Sequence, residues 1–508
     1  MSSSYDSWSK QDLIAKLVQL EASTSAPPPP STQTNASSSR RDFDFSSYPR
    51  RKIALKFCYS GWEYNGLAIQ TDPTPLPTVE GVLFDALAKA RLIDPTAGME
   101  GCEWERCGRT DRGVSAAGQV VSLWVRSALN PKKLGSTIEP EEIPPIIEPP
   151  PETEGSVDGD DLFPSLSSLD ISTKENHNRP RKTNLLPNPN RPEHNFPAIL
   201  NRLLPSTIRV LAWSPVAPDF SSRFACTSRH YKYFFASSSN LGAASGTVDL
   251  DVGKMQEAAS LLVGGHDFRN FCKIDAAKQL TEYKRRIIRA KISPASVGAG
   301  MYVFDLVGSA FLYHQVRHIM AILFLVGAGL EQPSLVSSLL RVEPDPENPT
   351  LPVFDTKPEY QMADGLPLML YACHYPDNLL DWRVSGDDSA PSTRKPAAVS
   401  RDSIPNQNSD SDASASLQYA LARSQMYATL NNAFCEASEA HYPLLPHSAD
   451  VSKLGAAVPL GGSYFRRTHK YVPVLERKRN EHFEVVNARW RAGKGARREE
   501  RKGQLSSS

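Results

Sequence analysis

The sequence predicts an α+β protein, because strand-like and helix-like patterns follow one another in two separate blocks. In the first block, residues 53–59 alternate between apolar and more polar side chains, and an apolar stripe with helical spacing follows Thr78. In the second block, two strand-like runs at 285–292 and 302–306 precede an apolar helical pattern at 311–330. A small antiparallel sheet backed by helices would satisfy the patterns of each block, and two such sheets side by side leave a cleft.

Composition indicates folded blocks separated by disordered segments. The chain has 508 residues, with 57 basic and 56 acidic side chains, so net charge by itself indicates no partner. Its 41 prolines are clustered, which is typical of segments that do not fold. The predicted organisation is an N-terminal helix and linker at 1–48, a first folded half at 49–130, an insertion at 131–193, a second folded half at 194–380, a linker at 381–417 and a C-terminal segment at 418–508.

The seven cysteines, at positions 58, 102, 107, 226, 272, 373 and 435, show neither CxxC pairs nor the histidine spacing of a zinc site. We interpret them as reduced thiols and predict no metal. The N-terminus lacks a signal-peptide pattern, and the longest apolar run, 319–330, is too short to span a membrane. The sequence therefore predicts a soluble, intracellular protein.

Ahead of the first block, residues 8–21 are predicted to form a short amphipathic helix, followed by a Ser/Thr/Pro-rich linker. The strand at 53–59 is followed by a helix from Thr78, its predicted N-cap, to about Leu92. A glycine-containing loop then leads into a strand at 119–125, and the block closes near Ser127.

The insertion at 131–193 has a composition that cannot bury a core. Between Glu139 and Asp161 it holds nine acidic residues, six prolines and no basic residue, and residues 173–191 are basic and proline-dotted. We predict a solvated insertion that the chemistry does not need.

The second block contains more elements than the first. The predicted helices are 199–204, 255–263, 311–330 and 333–340, and the predicted strands are 208–213, 229–235, 285–292, 302–306 and 368–374. Residues 264–273, which are dense in polar and aromatic side chains, are predicted to form a loop.

The C-terminal region begins with a Ser/Asp/Pro/Asn-rich linker and a helix at 417–433 of no evident role. Residues 464–502 carry 13 basic and five acidic residues, a net charge of +8, with Tyr471, Phe483 and Trp490 among them. Three interpretations stay open: a solvated basic face, phosphate contact with RNA, or a nuclear-import patch at 497–502.

The segment from Arg106 to Ala116 carries the strongest functional signal. It combines arginines, one carboxylate and two glycines, shows no helical or strand period, and runs directly into a strand. A glycine-rich loop fixed by a strand is a common way to present a side chain to a ligand. The presented side chain would be Asp111, between Arg109 and Arg112, although Thr110 and Asp111 would also suit the start of an ordinary turn.

This segment resembles the GRTDxGV(H/S)A active-site motif of the TruA-type tRNA pseudouridine synthases. Four further stretches are similar to motifs of that family, in the same order: 59–66 to YDGxxYxG, 220–233 to FxARF…RxYxY, 266–271 to xDFxxF, and 308–317 to xxxFLxxMVR.

The resemblance implies two ferredoxin-like (RRM-like) halves joined into one antiparallel sheet, flanked by helices, with a central basic RNA-binding cleft. It also implies a tRNA substrate, no metal or organic cofactor, no membrane association and a homodimer.

Transferred to matching positions, the resemblance makes Asp111 the catalytic carboxylate, which attacks the ribose or assists cleavage of the glycosidic bond. Arg109 would hold the target uridine out of its stack, Tyr231 would stack on the uracil, and Arg317 would pair with Asp111. Tyr231 also suits a core position, and Arg317 a helix surface. Further implied substrate contacts come from Thr110, Arg112, Arg229 and Phe268.

Within the family, Ser115 and the stretches 269–275 and 314–318 are similar to the eukaryotic branch that modifies tRNA positions 38 and 39. That branch implies a nuclear and cytoplasmic enzyme, with a mitochondrial fraction left open. Two alternatives stay open: a sister branch acting on other tRNA positions or small nuclear RNA, and an RNA-binding protein that has lost catalysis.

Overall fold

The computed structural model describes residues 43–70, 73–129, 192–237, 249–298, 300–386, 413–439, 456–462 and 464–497. The described residues from Phe45 onward belong to one compact unit. The predicted N-terminal helix at 8–21 and residues 131–191 of the predicted insertion lie outside the described residues.

The strands are β1 Arg50–Tyr59, β2 Glu105–Arg106, β3 Ser115–Arg126, β4 Ile208–Pro215, β5 Ser228–Ala236, β6 Gly264–Asp267, β7 Lys284–Pro294, β8 Met301–Gly308, β9 Leu368–His374, β10 Ala456–Gly461 and β11 Tyr464–Thr468. The helices are α1 Val79–Lys89, α2 Gly98–Gly101, α3 Phe196–Asn201, α4 Val252–Ser260, α5 Gln315–Gly327, α6 Leu335–Leu340, α7 Ala413–Glu439 and α8 Phe483–Trp490. Short 3₁₀ turns occupy Phe45–Ser47, Gly61–Glu63, Pro95–Ala97, Arg269–Phe271, Ala276–Lys278 and Val474–Glu476, and a π turn follows α8 at Arg491–Gly495.

Nine strands form one large sheet in the order β4-β1-β3-β9-β5-β8-β7-β6, with β2 added beside β3. Among the described strands, the only parallel pairing is between β3 and β9, where Ser115 lies opposite Met369. The remaining pairings in this sheet are antiparallel. A mostly antiparallel sheet flanked by helices confirms the predicted α+β class, and the β3–β9 pair joins the two sequence blocks.

The helices pack on one face of this sheet. In the first block, Leu55 of β1 and Val121 of β3 lie opposite each other and share a buried cluster with Leu83 of α1. In the second block, Phe304 of β8 and Ile319 of α5 belong to a larger cluster. Both clusters follow from the period-2 alternation of the strands, which places every second side chain on the helical face.

The opposite face carries a smaller cluster beside β1 and β3. Ala54 and Val120 point away from the helices and pack with Cys107, Phe220 and Cys226. Partly buried side chains at 216, 225, 373, 375, 380 and 382 complete this cluster. The segments around 216–226 and 375–382 therefore cover the sheet here.

Helix α1 begins as the sequence predicts. The Thr78 hydroxyl accepts a hydrogen bond from the Gly81 amide at 3.2 Å. Glu80 is fully buried rather than solvated, and Arg106 and the Trp104 indole donate to it at 2.6 and 2.9 Å. Burial raises the pKa of the Glu80 carboxyl, against the opposing effect of Arg106.

Element boundaries differ from the sequence predictions at several places; for example, β3 begins at Ser115 instead of 119, and α4 spans Val252–Ser260 instead of 255–263. The helix predicted from residue 311 begins only at Gln315, because His314 has a φ of 61° in the left-handed region and cannot continue a helix. The loop predicted at 264–273 contains strand β6, whose edge pairs with β7. Polar and glycine residues at 264–267 hid this strand, since its pairing depends on β7 and not on an apolar pattern of its own.

Glu193, at the end of the predicted insertion, is buried. The Ser127 hydroxyl and the Ala128 amide donate to its carboxylate at 2.6 and 2.8 Å, and Arg51 lies 3.4 Å away. The chain therefore leaves and re-enters the fold at neighbouring points. Among the described residues, no helix combines the length and the apolar character needed to cross a membrane.

Candidate active site

The Asp111 loop is a tight turn at the start of β3. The Val114 amide donates to the Asp111 carbonyl at 3.1 Å, and Gly113 adopts a φ of 83°, a conformation that favours glycine. The turn leaves the Asp111 side chain 28% exposed. Asp111 is thus accessible to a ligand but fixed at its backbone.

Neighbouring segments of the first block anchor this loop on both sides. The hydroxyls of Tyr59 and Thr110 form a buried hydrogen bond of 2.6 Å. The Gly61 amide donates to the Ser115 hydroxyl at 2.9 Å, and the Leu67 amide donates to the Thr110 carbonyl at 3.2 Å. These bonds use local polar groups of the motif, so the loop geometry is set before any substrate binds.

A glycine is required at position 61 because the backbone there lies very close to the Asp111 loop. A β-carbon placed on it would lie 2.1 Å from the Val114 carbonyl oxygen, far inside van der Waals contact with backbone. The glycine of the YDGxxYxG-like stretch therefore lets the first 3₁₀ turn rest directly on the Asp111 loop.

The second block supplies the basic side chains that face Asp111. Nε2 of His314 lies 3.2 Å, and a terminal guanidinium nitrogen of Arg317 lies 3.7 Å, from the same carboxylate oxygen of Asp111. Arg317 also donates from Nε to the Ala363 carbonyl at 2.8 Å, which fixes its guanidinium plane. The structure thus brings Asp111 and Arg317 together, as the resemblance implies, at the N-terminal end of α5, where the helix dipole also favours a carboxylate.

His314 is a site residue that the sequence analysis quoted in a motif but did not assign. Its imidazole lies closer to Asp111 than Arg317 does, and the two residues are three positions apart, a separation that places side chains on one side of a helical turn. The spacing between His314 and Arg317 was the only sequence signal for a role of His314. It indicates that role only once the N-terminal end of α5 is known to meet the Asp111 loop.

Tyr313 adds an aromatic surface beside this cluster. Its ring centroid lies 3.8 Å from that of His314, and the ammonium groups of Lys273 and Lys278 lie 5.8 and 5.4 Å from the Tyr313 ring. Lysines over an aromatic ring next to a catalytic-type carboxylate are a combination suited to a polyanionic ligand with planar bases.

Tyr231 lies on β5 and is partly buried against both main core clusters. Its ring meets the ring of Phe311 edge to face at 5.0 Å. Burial raises the pKa of its hydroxyl far above the usual value, and Cys373 adds to that increase. The hydroxyl therefore keeps its proton at any physiological pH, and its ring belongs partly to the core, an alternative that the sequence left open.

The other predicted contact residues fall into two groups. Arg109 and Arg112 are exposed on either side of Asp111. Arg229 donates to the carbonyls of Cys107, Arg223 and Ser309 at 3.1, 2.9 and 2.9 Å, so protein groups occupy much of its guanidinium.

Phe268 is fully buried and packs against Phe271. Its position here is that of a core residue. The predicted contacts of Phe268 and Arg229 with substrate stay predictions.

Cysteine spacing gave no indication of a metal cluster, yet the fold brings three thiols together. The sulfur atoms of Cys107, Cys226 and Cys373 lie within 4.8 Å of one another. All seven cysteines are free thiols in the structure, as predicted. Rules based on spacing find ligands that are neighbours in sequence, whereas these three come from separate segments.

The fold and the site together define an α+β enzyme with a positioned carboxylate. The carboxylate is accessible, is paired with a histidine and an arginine, and is surrounded by exposed cations and an aromatic surface. Such a group acts as a nucleophile or a general base, and its surroundings suit an anionic substrate.

Comparisons with known proteins identify the family. A family model described as tRNA pseudouridine synthase matches residues 258–376. The tRNA pseudouridine(38/39) synthase of Saccharomyces cerevisiae is 38% identical over 396 residues, covering 75% of this chain and 73% of the yeast protein. The Homo sapiens protein of the same name is 38% identical over 350 residues, covering 67% of this chain and 59% of the human protein.

An archaeal relative, tRNA pseudouridine synthase A of Methanothrix thermoacetophila, is 30% identical over 302 residues, covering 59% of this chain and 76% of the relative. The chain belongs to the TruA-type family of tRNA pseudouridine synthases. Its identity is higher to the yeast and human members than to this archaeal member, which agrees with the eukaryotic branch that the sequence motifs predicted.

Proposed function

We propose that this protein converts uridine to pseudouridine at positions 38 and 39 of the tRNA anticodon arm. The observation that carries this proposal is the Asp111 carboxylate, held within a motif of the family and placed 3.2 and 3.7 Å from His314 and Arg317. The names of the yeast and human relatives, tRNA pseudouridine(38/39) synthase, support positions 38 and 39.

In the proposed reaction, Asp111 acts on the ribose of the target uridine. Its carboxylate attacks C1′ or assists departure of the base, the bond between C1′ and N1 breaks, and the electron pair of that bond leaves with the uracil. The uracil then turns and C5 forms the new bond to C1′; where Asp111 had attacked C1′, that bond breaks and the carboxylate is released. The proton on C5 is then lost while N1 is protonated. No oxidant or reductant is consumed, because substrate and product are isomers.

His314 and Arg317 serve this reaction by orienting Asp111. Because both contact the same carboxylate oxygen, the other oxygen is left for the ribose. The hydrogen bond that Arg317 donates to the Ala363 carbonyl holds the guanidinium in place beside Asp111. Pairing this carboxylate with cations from the other sequence block also makes the site depend on both halves.

The substrate is proposed to enter from the side of Arg109 and Arg112. Both side chains are exposed and contact phosphate without sequence preference. Arg109 then holds the extruded uridine, since chemistry on a base requires that the base leave its stack. The rings of Tyr231 and Tyr313 offer surfaces on which the extruded uracil stacks.

The architecture proposed for this function is two ferredoxin-like halves that share the large sheet, with a basic cleft between them. The parallel β3–β9 pair joins two groups of strands, and β4 of the second sequence block pairs with β1 and belongs to the first group. A homodimer and a distribution between nucleus and cytoplasm belong to the same proposal and rest on the family resemblance alone.

The test compares wild type with Asp111→Asn on an unmodified tRNA transcript, with pseudouridine mapped at single-nucleotide resolution. We expect wild type to modify position 38 or 39, and the variant to bind tRNA without forming product. Modification only at other positions would assign the protein to the sister branch. Binding by both proteins with no product on several tRNAs would favour a non-catalytic RNA-binding role.

A further inference from the structure

A three-cysteine cluster lies on the sheet face opposite the helices, outside the proposed chemistry. It consists of Cys107 in the motif segment, Cys226 just before β5 and Cys373 in β9. Cys107 and Cys226 are 2% and 7% exposed, and Cys373 is partly buried. The three sulfur atoms are mutually within 4.8 Å.

Buried thiols usually pack singly, as small apolar side chains. Three convergent thiols from three segments are a different arrangement, and it matches the donor set of soft cations. Sulfurs on a tetrahedral zinc ion lie ~3.8 Å apart, given a zinc–sulfur distance of about 2.3 Å. The sulfur atoms, which already lie within 4.8 Å of one another, would reach that spacing by contracting at most about 1 Å, which is within the reach of thiol rotation about χ1.

We propose that Cys107, Cys226 and Cys373 bind a thiophilic divalent cation, Zn²⁺ in the first instance, which fastens the Asp111 loop to β5 and β9. The remaining tetrahedral position belongs to a water molecule or to the Tyr375 hydroxyl, which lies beside the Cys107 thiol and donates to the Ser222 carbonyl at 2.7 Å.

The surroundings balance the charge of such a site. Three thiolates and one Zn²⁺ carry a net charge of −1, and the Arg229 guanidinium, which donates to the Cys107 carbonyl at 3.1 Å, lies beside them. An arginine in this position would oppose a bare cation but stabilises a cation already enclosed by three thiolates.

The fold also gives the cation a structural task. The cluster on this face is small, and it is covered by segments that contain no helix or strand over 216–226 and 375–382. A small apolar core contributes little stability, and a metal crosslink compensates for that. Because Cys107 lies four residues before Asp111, the crosslink would also restrict the motion of the catalytic loop.

The experiment measures metal in the full chain, purified under reducing conditions without chelator and then supplied with Zn²⁺ or Co²⁺. We expect about one Zn²⁺ per chain by elemental analysis, and a thiolate-to-Co²⁺ charge-transfer absorption in the cobalt form. Cys226→Ser and Cys373→Ser should lose both signals. Cys58→Ser, which alters another partly buried strand cysteine, and Cys435→Ser, on the exposed helix α7, should retain them.

Several results would overturn the proposal. One is wild-type protein that stays free of metal after incubation with Zn²⁺. Another is a Cys226→Ser variant that binds Co²⁺ with an unchanged spectrum. A third is a disulfide between two of the three cysteines, found by mass spectrometry in protein that has never been exposed to oxidant. Titration of wild type with Co²⁺ decides the question even if the variants do not fold.

Discussion

The Asp111 loop and the start of α5 meet at one carboxylate, but they are held in place by different means. The loop is fixed by hydrogen bonds within its own block, from Tyr59, Gly61 and Leu67. The start of α5 is fixed by a left-handed residue, His314, and by the bond from Arg317 to a distant carbonyl. The first region is held by contacts within one sequence block, whereas the second owes its position to the packing of the whole second block.

The motifs that contain Asp111 and Arg317 were both recognised in the sequence, whereas His314, which also faces Asp111, was not assigned a role. The loop needs particular residue types at fixed positions, so its sequence is distinctive. The predictions below disturb one region at a time.

The largest effect is expected from Asp111→Asn. The amide keeps the shape of the side chain but is neither a nucleophile nor a base, so kcat should fall at least ~10³-fold. Single-turnover assays on a tRNA transcript measure this fall. Thermal unfolding should be nearly unchanged, since the side chain is partly exposed. Residual activity within tenfold of wild type would remove Asp111 from the catalytic role.

Gly61→Ala disturbs the loop without touching the carboxylate. The added methyl group meets the Val114 carbonyl at 2.1 Å, so the loop must shift. A displacement of this size typically costs about 10²-fold in rate and roughly 1–3 kcal/mol in stability. Urea unfolding and kcat are the measurements.

The matched control for this change is Gly265→Ala, where the new β-carbon has no neighbour within 4 Å. That variant should behave as wild type. If Gly61→Ala also behaved as wild type, the close approach of the 3₁₀ turn to the loop would not matter for the site.

Arg317→Gln tests the α5 region. Loss of the charge that faces Asp111 at 3.7 Å should lower kcat by about 10- to 100-fold, with little change in tRNA affinity. Arg317→Lys retains charge but not the forked geometry, so it should recover only part of the rate. His314→Gln should give a smaller loss. A large loss of tRNA binding with kcat preserved would make Arg317 a substrate ligand rather than a partner of Asp111.

The smallest effect at neutral pH concerns how α5 is anchored. His318 is buried, and the Lys357 ammonium nitrogen lies 3.0 Å from Nε2 of His318. Burial together with that charge lowers the pKa of His318 to about 2. As pH falls below 6.5, the unfolded histidine takes up a proton and the folded one does not. Stability should therefore fall from pH 6.5 towards pH 2, by at most about 1.4 kcal/mol per pH unit from this group.

Urea unfolding as a function of pH measures this effect. His318→Gln should flatten the acid limb, because it removes the proton uptake of the unfolded state. Lys357→Met should raise the pKa of His318 in the folded protein, because the repelling ammonium is gone. Stability should then fall over a narrower range of pH. Identical acid limbs in wild type and His318→Gln would show that His318 contributes nothing to the pH dependence.

Most of the elements followed from local patterns. The strands near 50–59, 208–215 and 368–374, and the Thr78 cap, were predictable because alternation and capping act over a few residues. The helix was predicted to begin too early, at 311, because the apolar side chains there pack in the core without being helical. Strand β6 was missed because it has no apolar face of its own.

The sequence by itself determined the fold class, the family and the identity of Asp111, since each depends on residues that are close together in the chain. Only the tertiary structure brought His314 to Asp111, buried Phe268, enclosed Glu80 and gathered Cys107, Cys226 and Cys373. Those contacts join residues far apart in sequence, and nothing in a local pattern records a distance across a sheet. The periodicity of apolar side chains determined the α+β fold. The chemistry of the site depends on which loops the folded chain brings together.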